Sequence, residues 1–177
     1  MFRNRLETRV PLNTDRYMSI DKAREYDRVA SRNSLLYPMQ RVVGLAEPYC
    51  KPNQTIVNLG CETGILSIVL SGKTGFRITG IDDNPFFIQV AEENENLARL
   101  SSYQGDVSFY VSPFTHLPLE DKFVDLLFAD NFLSRTNDPL TVLRECLRVL
   151  KDDGVVILYQ LIRDADINIG IQNLFNL

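Results

Sequence analysis

Val57-Asn58-Leu59-Gly60-Cys61-Glu62-Thr63-Gly64-Ile65-Leu66 sets an apolar run against a glycine-bracketed turn, followed by a second apolar run. Such a turn can receive a ligand at its backbone. Gly60 and Gly64 have no Cβ to hold a ligand off, and a helix starting near Thr63 turns free N–H groups and its positive dipole end into the same space. About 20 residues further on, Asp82 closes another apolar run, where a carboxylate can accept both hydroxyls of a ribose. The ligand is not a dinucleotide, whose fingerprint counted from Gly60 needs glycines where Glu62 and Ile65 stand. A P-loop is excluded as well, because no Gly-Lys-Ser/Thr closes the turn.

The surrounding pattern supplies elements to hold these residues in place. Residues 1–18 have no clean period and read as an arm or partial helix. Ser19 can cap a helix with Asp21 in its first turn and a narrow face of Ile20, Ala23, Tyr26 and Ala30. A second helix is expected over Leu35 to Ala46, and Lys51-Pro52-Asn53 then turns the chain into a strand at Thr55 to Leu59. Strands and helices alternate from there. A helix is expected at Ile65 to Leu70, a strand at Arg77 to Ile81, and a helix with Asn84 as cap, Pro85 at its first position and Phe87, Val90, Ala91, Leu97 and Ala98 on its buried stripe. Strands follow at Val107 to Val111 and Val124 to Ala129. Asp138 and Pro139 open a helix with Leu140, Leu143, Leu147 and Leu150 on its face, and Gly154 releases the chain into a strand at Val155 to Leu161. Five strands separated by helices predict an α/β fold with a parallel, doubly wound sheet, in which ligands bind at the carboxyl ends of the strands. Ile167, Ile171, Leu174 and Phe175 repeat at the spacing of one more helix face.

At 177 residues the chain is expected to form one compact domain, with 1–50 as an N-terminal helical arm or lid and 51–177 as the α/β core. Apolar runs fall short of a membrane span, and the charged start Met1-Phe2-Arg3-Asn4-Arg5 does not suit a secretory signal, so the expected location is cytoplasmic. Cys50, Cys61 and Cys146 form no C-x-x-C pair and read as free thiols; with His116 as the only histidine, no metal site is expected. Residues 1–41 carry nine Lys/Arg against five Asp/Glu, a net of +4 in a chain that totals −4. That basic segment reads as a solvated helix docked on an acidic body, or as a face that greets an anionic substrate. Nucleic acid is not an expected partner, because no basic stripe is interleaved with aromatics.

The glycine turn resembles motif I of the class I S-adenosylmethionine (SAM) dependent methyltransferases, where an apolar strand ends in acid-x-Gly-x-Gly-x-Gly. Three further stretches follow in that family's order. Gly80-Ile81-Asp82-Asp83-Asn84-Pro85 is similar to its Gly-x-Asp-x-Ser-Pro. His116-Leu117-Pro118-Leu119 with Val124-Asp125-Leu126-Leu127 is similar to its Leu-Pro-Phe and Phe-Asp-x-Val. Asp138-Pro139 leading to Leu147-Arg148-Val149-Leu150-Lys151-Asp152-Asp153-Gly154 is similar to its Arg-Val-Leu-Lys-Pro-Gly-Gly. The resemblance runs from about Tyr26 to Leu158 and is nearest to the methyltransferases of ubiquinone and menaquinone biosynthesis.

The resemblance implies a Rossmann-like fold that here lacks the family's last two strands, SAM as cofactor and S-adenosylhomocysteine (SAH) as product. It implies a cofactor site built from Asn58, Gly60, Cys61, Glu62 and Gly64 of the turn, Asp82 on the ribose with Asp83 beside it, Ser112 and Phe114 near the adenine, and Ala129 and Asn131 below the cofactor. Asn58 stands where the family has an acid and Glu62 where it has its middle glycine, so Glu62 is expected to take over the contact to the cofactor's ammonium group. His116 is the candidate proton acceptor, since Ser134-Arg135 replaces the paired histidines often found after the fourth strand. Tyr17, Tyr26 and Tyr37 could close over a substrate as a lid. The expected activity is methyl transfer to a small molecule. The alternatives are a catalytically silent SAM-binding regulatory or scaffold subunit and, more remotely, a binding module for another adenosine-containing ligand. A fifth strand without neighbours would be a bare apolar edge, so a second copy or a partner subunit is expected to cover it, unless the chain is a fragment of a longer protein.

Overall fold

The computed structural model describes residues 19–31 and 33–160, apart from the side chains of 33–39 and 134. The expected helix face at 167–175, the arm at 1–18 with Tyr17, and the side chain of Tyr37 lie outside that range.

Ser19 caps helix α1, Ile20–Ala30, by accepting from Lys22 N, and helix α2 covers Asn33–Ala46. A single 3-10 turn at Glu47–Tyr49 leads to strand β1, Ile56–Leu59. Helix α3, Ile65–Thr74, runs one turn beyond the expected Leu70, because Gly75 in a left-handed conformation closes it. Strand β2, Arg77–Asp82, is followed by helix α4, Pro85–Leu100, whose cap Asn84 accepts from Phe86 N and Phe87 N. Strand β3 is Asp106–Val111 and strand β4 is Val124–Asp130. A 3-10 turn at Phe132–Arg135 precedes helix α5, Pro139–Val149, which is capped by Asp138. Strand β5 is Leu150–Tyr159.

The five strands form one parallel sheet in the order β3-β2-β1-β4-β5. The chain steps outward from β1 to β3, then returns to the other side of β1, so the switch point lies between β1 and β4. All four residues of β1 are buried, which explains a strand that reads as continuously apolar apart from Asn58.

Two apolar clusters flank the sheet. One joins Val42, Val43 and Ala46 of α2 with Leu66 and Leu70 of α3 and Phe128 of β4. The other joins Val57 and Leu59 with Val142, Cys146 and Val149 of α5. A third, smaller cluster holds α1 against α4 through Ala23, Phe87 and Val90.

Three expectations need correction. On α5 the buried residues are Val142, Glu145, Cys146 and Val149, whereas Leu140 and Leu147 are exposed. The shorter side chains let the helix approach the sheet, and Glu145 can go inside because Arg148 and the Leu117 N–H both bond to it. On α4, Leu97 is exposed, and the buried residues, Phe87, Ile88, Val90 and Ala91, all fall in its first half. Finally, β5 begins at Leu150, paired with Val124, and the next pairing, Leu126 with Val155, makes Lys151 to Gly154 a bulge inside the strand.

Candidate active site

The glycine turn stands at the carboxyl end of β1, at the switch point. Gly60 N and Cys61 N both donate to Ile81 O, at 2.7 and 3.1 Å, fixing the turn to β2. Gly60, Glu62 and Gly64 have φ of 72°, 50° and 78°. Such left-handed backbone suits the glycines and strains Glu62. The room in front of the glycines is used by this chain's own side chains. A Cβ on Gly64 would lie 2.7 Å from the Phe109 ring and 2.8 Å from Ala91 Cβ, so this glycine lets α3 dock against β3 and α4. A Cβ on Gly60 would lie 2.7 Å from Phe132 Cβ and 3.3 Å from an Arg135 guanidinium nitrogen.

Asp82 ends β2 with a fully buried carboxylate. Oδ1 accepts from Asn84 N at 3.0 Å; Oδ2 accepts from Glu62 N at 2.9 Å and from Arg135 Nη2 at 2.8 Å. Arg135 Nη1 donates to Glu62 Oε1 at 3.0 Å, and Tyr26 on α1 donates its hydroxyl to Glu62 Oε2. The guanidinium is 12% exposed and sits 6.0 Å from the Phe87 ring centroid and 5.8 Å from that of Phe114. Burial opposes its charge, but Asp82 and Glu62 outweigh that penalty and hold its proton more firmly than usual. Burial pushes the carboxyls of Glu62 and Asp130 above their ordinary range, with Arg135 pulling each back. Burial also raises the Cys61 thiol well above its usual value, so it is inert toward electrophiles.

Beside this network a small cleft opens to solvent, lined by Asn58, Gly60, Cys61, Glu62, Thr63 and Asp130 among others. Asn58 donates through Nδ2 to Ser67 Oγ at 2.9 Å, while its buried Oδ1 has no hydrogen-bond partner. A buried acceptor without a donor is costly, and Asn58 is one of the residues that line the cleft.

The remaining expected site residues are spread around this centre. Asp83 is exposed at the head of α4. Ser112 is buried, its N–H on Asp82 O and its hydroxyl on His116 O, so the side chain is engaged in shaping its own loop. Phe114 is buried edge-on to Phe132 at 5.7 Å. Ala129 is buried within β4. Asn131 donates from its backbone to Tyr159 O and accepts at Oδ1 from Gln160. His116 is exposed and does not line the cleft. Two residues absent from the expected set are central: Arg135, and Thr63, which is buried in the turn itself. The sequence did carry a signal for Arg135, a lone cation just beyond the carboxyl end of an acidic strand terminus, Ala129-Asp130-Asn131.

Comparison with known proteins adds the family. The model of the methyltransferase domain matches residues 57–158. The tRNA U34 carboxymethyltransferase of Nautilia profundicola is 28% identical over 119 residues, 67% of this chain and 38% of that protein. The ubiquinone biosynthesis O-methyltransferase of Actinobacillus pleuropneumoniae is 31% identical over 103 residues, 57% of this chain and 43% of that protein. The chain thus spans about two fifths of the length of these curated relatives. A SAM-dependent methyltransferase structure from Methanococcus maripaludis superposes with a TM-score of 0.69 at 20% identity, covering 89% of this chain and 71% of that one, a likeness of fold. With the parallel sheet, the glycine turn at its switch point and the acid ending β2 in place, the chain belongs to the methyltransferase-domain family, in its class I SAM-dependent branch.

Proposed function

We propose that this chain binds SAM at the glycine turn and transfers its methyl group to a small molecule. The observation that carries the reading is the pairing of the buried acid Asp82 with the turn that faces it, through Glu62 N, at the strand ends where the sheet order switches. The methionyl end of the cofactor fits what is present: Asn58, whose Oδ1 is an unpartnered acceptor suited to an ammonium, lines the cleft, and α3 starts beside it. Asp82 would hold the ribose, with Ser112 and Phe114 on the adenine side. Gly60, Cys61 and Gly64 would form the floor, with Glu62 and Asp83 at the rim and Ala129 and Asn131 in the wall below the cofactor.

When bound, the cofactor supplies an electrophilic methyl on a good leaving group. The chain's task is then positioning, and holding reactants about 3 to 3.5 Å apart in line can supply on the order of 7 to 11 kcal/mol. The turn and β4 provide rigid walls for that alignment; no general base is needed for an acceptor that is already nucleophilic.

A second reading, a SAM-binding scaffold without turnover, is favoured by one observation: Asp82 and Glu62 already engage Arg135. Calorimetry with SAM and SAH, on the chain and on Asp82→Ala, tests binding; micromolar binding lost on substitution supports both readings. Turnover on an acceptor panel then separates them.

The location expected is cytoplasmic, in keeping with three free thiols; among the described residues no helix is long and apolar enough to cross a membrane. A second copy of the chain covers the edge of β5 in this reading, an edge with Val156 36% exposed. Light scattering that returned the mass of one chain would refute that part.

A further inference from the structure

Arg135 stands where the cofactor's ribose would have to go. Asp82 is fully buried, one of its oxygens accepts from Asn84 N, and the other is shared by Glu62 N and the Arg135 guanidinium. The same guanidinium lies 3.3 Å from the position a Cβ would take on Gly60, and Phe132 of the same short turn lies nearer still, at 2.7 Å. The Phe132–Arg135 segment therefore covers the glycine turn at Gly60. The space left over is a small cleft that lies toward Asn58, Thr63 and Asp130.

The guanidinium is anchored on both sides. Glu62 holds its second nitrogen, and Glu62 in turn accepts from Tyr26 on α1. The Phe87 and Phe114 rings bracket it, and Tyr26 packs on Phe87 at 5.1 Å between ring centroids. Lid helix, glycine turn, ribose acid and the turn after β4 are thus tied to one cation.

We propose that Arg135 is a latch: in the cofactor-free chain it closes the site by occupying Asp82, and a nucleoside cofactor binds only by displacing it. The latch rests on the reading that Asp82 is the ribose acid. Its chemistry also states what can open it. Withdrawing the guanidinium exposes Glu62 and Asp82, with Asp83 and Asp130 close enough to feel its charge, so the ligand must replace a cation as well as offer a diol. SAM brings a sulfonium and an ammonium, SAH the ammonium alone, and adenosine neither. The affinity order is therefore SAM above SAH above adenosine.

The test is calorimetry with SAH on the full chain, on Arg135→Gln and on Tyr26→Phe, which leaves every charge in place. If the latch holds the site at least about nine-tenths closed, Arg135→Gln binds SAH roughly tenfold or more tighter, and Tyr26→Phe shifts affinity the same way. Unchanged or weaker binding by a folded Arg135→Gln overturns the latch while leaving the cofactor reading intact. Absence of SAH binding by the unmodified chain and by both variants overturns the two together. Should Arg135→Gln fail to fold, butanedione labelling of the unmodified chain decides. Saturating SAH raises labelling of Arg135 relative to exposed Arg144, and no rise overturns the latch.

Discussion

At the scale of single residues, position in the turn matters more than residue type. Gly64 and Gly75 bracket the same helix with nearly equal φ, 78° and 73°, yet a Cβ on Gly64 meets Phe109 and Ala91 below 3 Å while one on Gly75 meets nothing within 4 Å. Gly75→Ala bears the left-handed penalty alone, about 1 to 2 kcal/mol. Gly64→Ala adds the cost of overpacking, about 1 to 3 kcal/mol more. Urea denaturation of the two variants measures the difference, and equal losses would contradict the packing role assigned to Gly64. The turn's spacing was legible in the sequence because it is local. The occupant of the space in front of it was not, because Phe109, Ala91, Phe132 and Arg135 arrive from distant parts of the chain.

At the scale of elements, α5 is held to the loop before β4 by a carboxylate that hydrophobic periodicity could not place. Glu145, 8% exposed, accepts from Leu117 N at 2.6 Å and from Arg148 at 2.7 and 2.8 Å, and Arg148 donates on to Leu119 O at 3.0 Å. The Arg148 guanidinium is the main reason the Glu145 carboxyl falls below its ordinary range. A depressed value contributes stability above the unfolded value of about 4.3, which is lost as pH falls through the folded one. Glu145→Ala should therefore cost about 1 to 3 kcal/mol at pH 7, since it leaves the Leu117 N–H without an acceptor while Arg148 keeps Asp121 and Leu119 O. The stability gap between the unmodified chain and Glu145→Gln should shrink as pH drops below about 4. A gap that stays constant from pH 7 to pH 3 in thermal melts would sink this account.

At the scale of the whole molecule, the layers are not equally secure. β1 and β4 lie between two large clusters, whereas α1 rests on a small third cluster, an Arg24 to Glu93 pair that is half exposed, and hydrogen bonds from Asn94 to Asp27 and from Tyr26 to Glu62. Exposed pairs contribute little, about 0 to 1 kcal/mol. Native-state hydrogen exchange should show α1 opening well before the sheet, with amides of β1 and β4 exchanging only on global unfolding. Equal protection in α1 and β1 would rule out a lid that moves on its own.

The sequence by itself determined the alternation of strands and helices, the caps at Ser19, Asn84 and Asp138, the glycine turn and the acid 20 residues behind it. Each of these is set by neighbours in the chain, through backbone sterics, hydrophobic period and capping. The tertiary structure alone decided which face of α5 is buried, what fills the space before Gly60 and Gly64, and that Arg135 reaches Asp82 and Glu62 from 53 and 73 positions away. Those outcomes depend on which side chains meet across the folded sheet, and a buried charge finds its counter-charge only once the strands that carry them have been laid side by side.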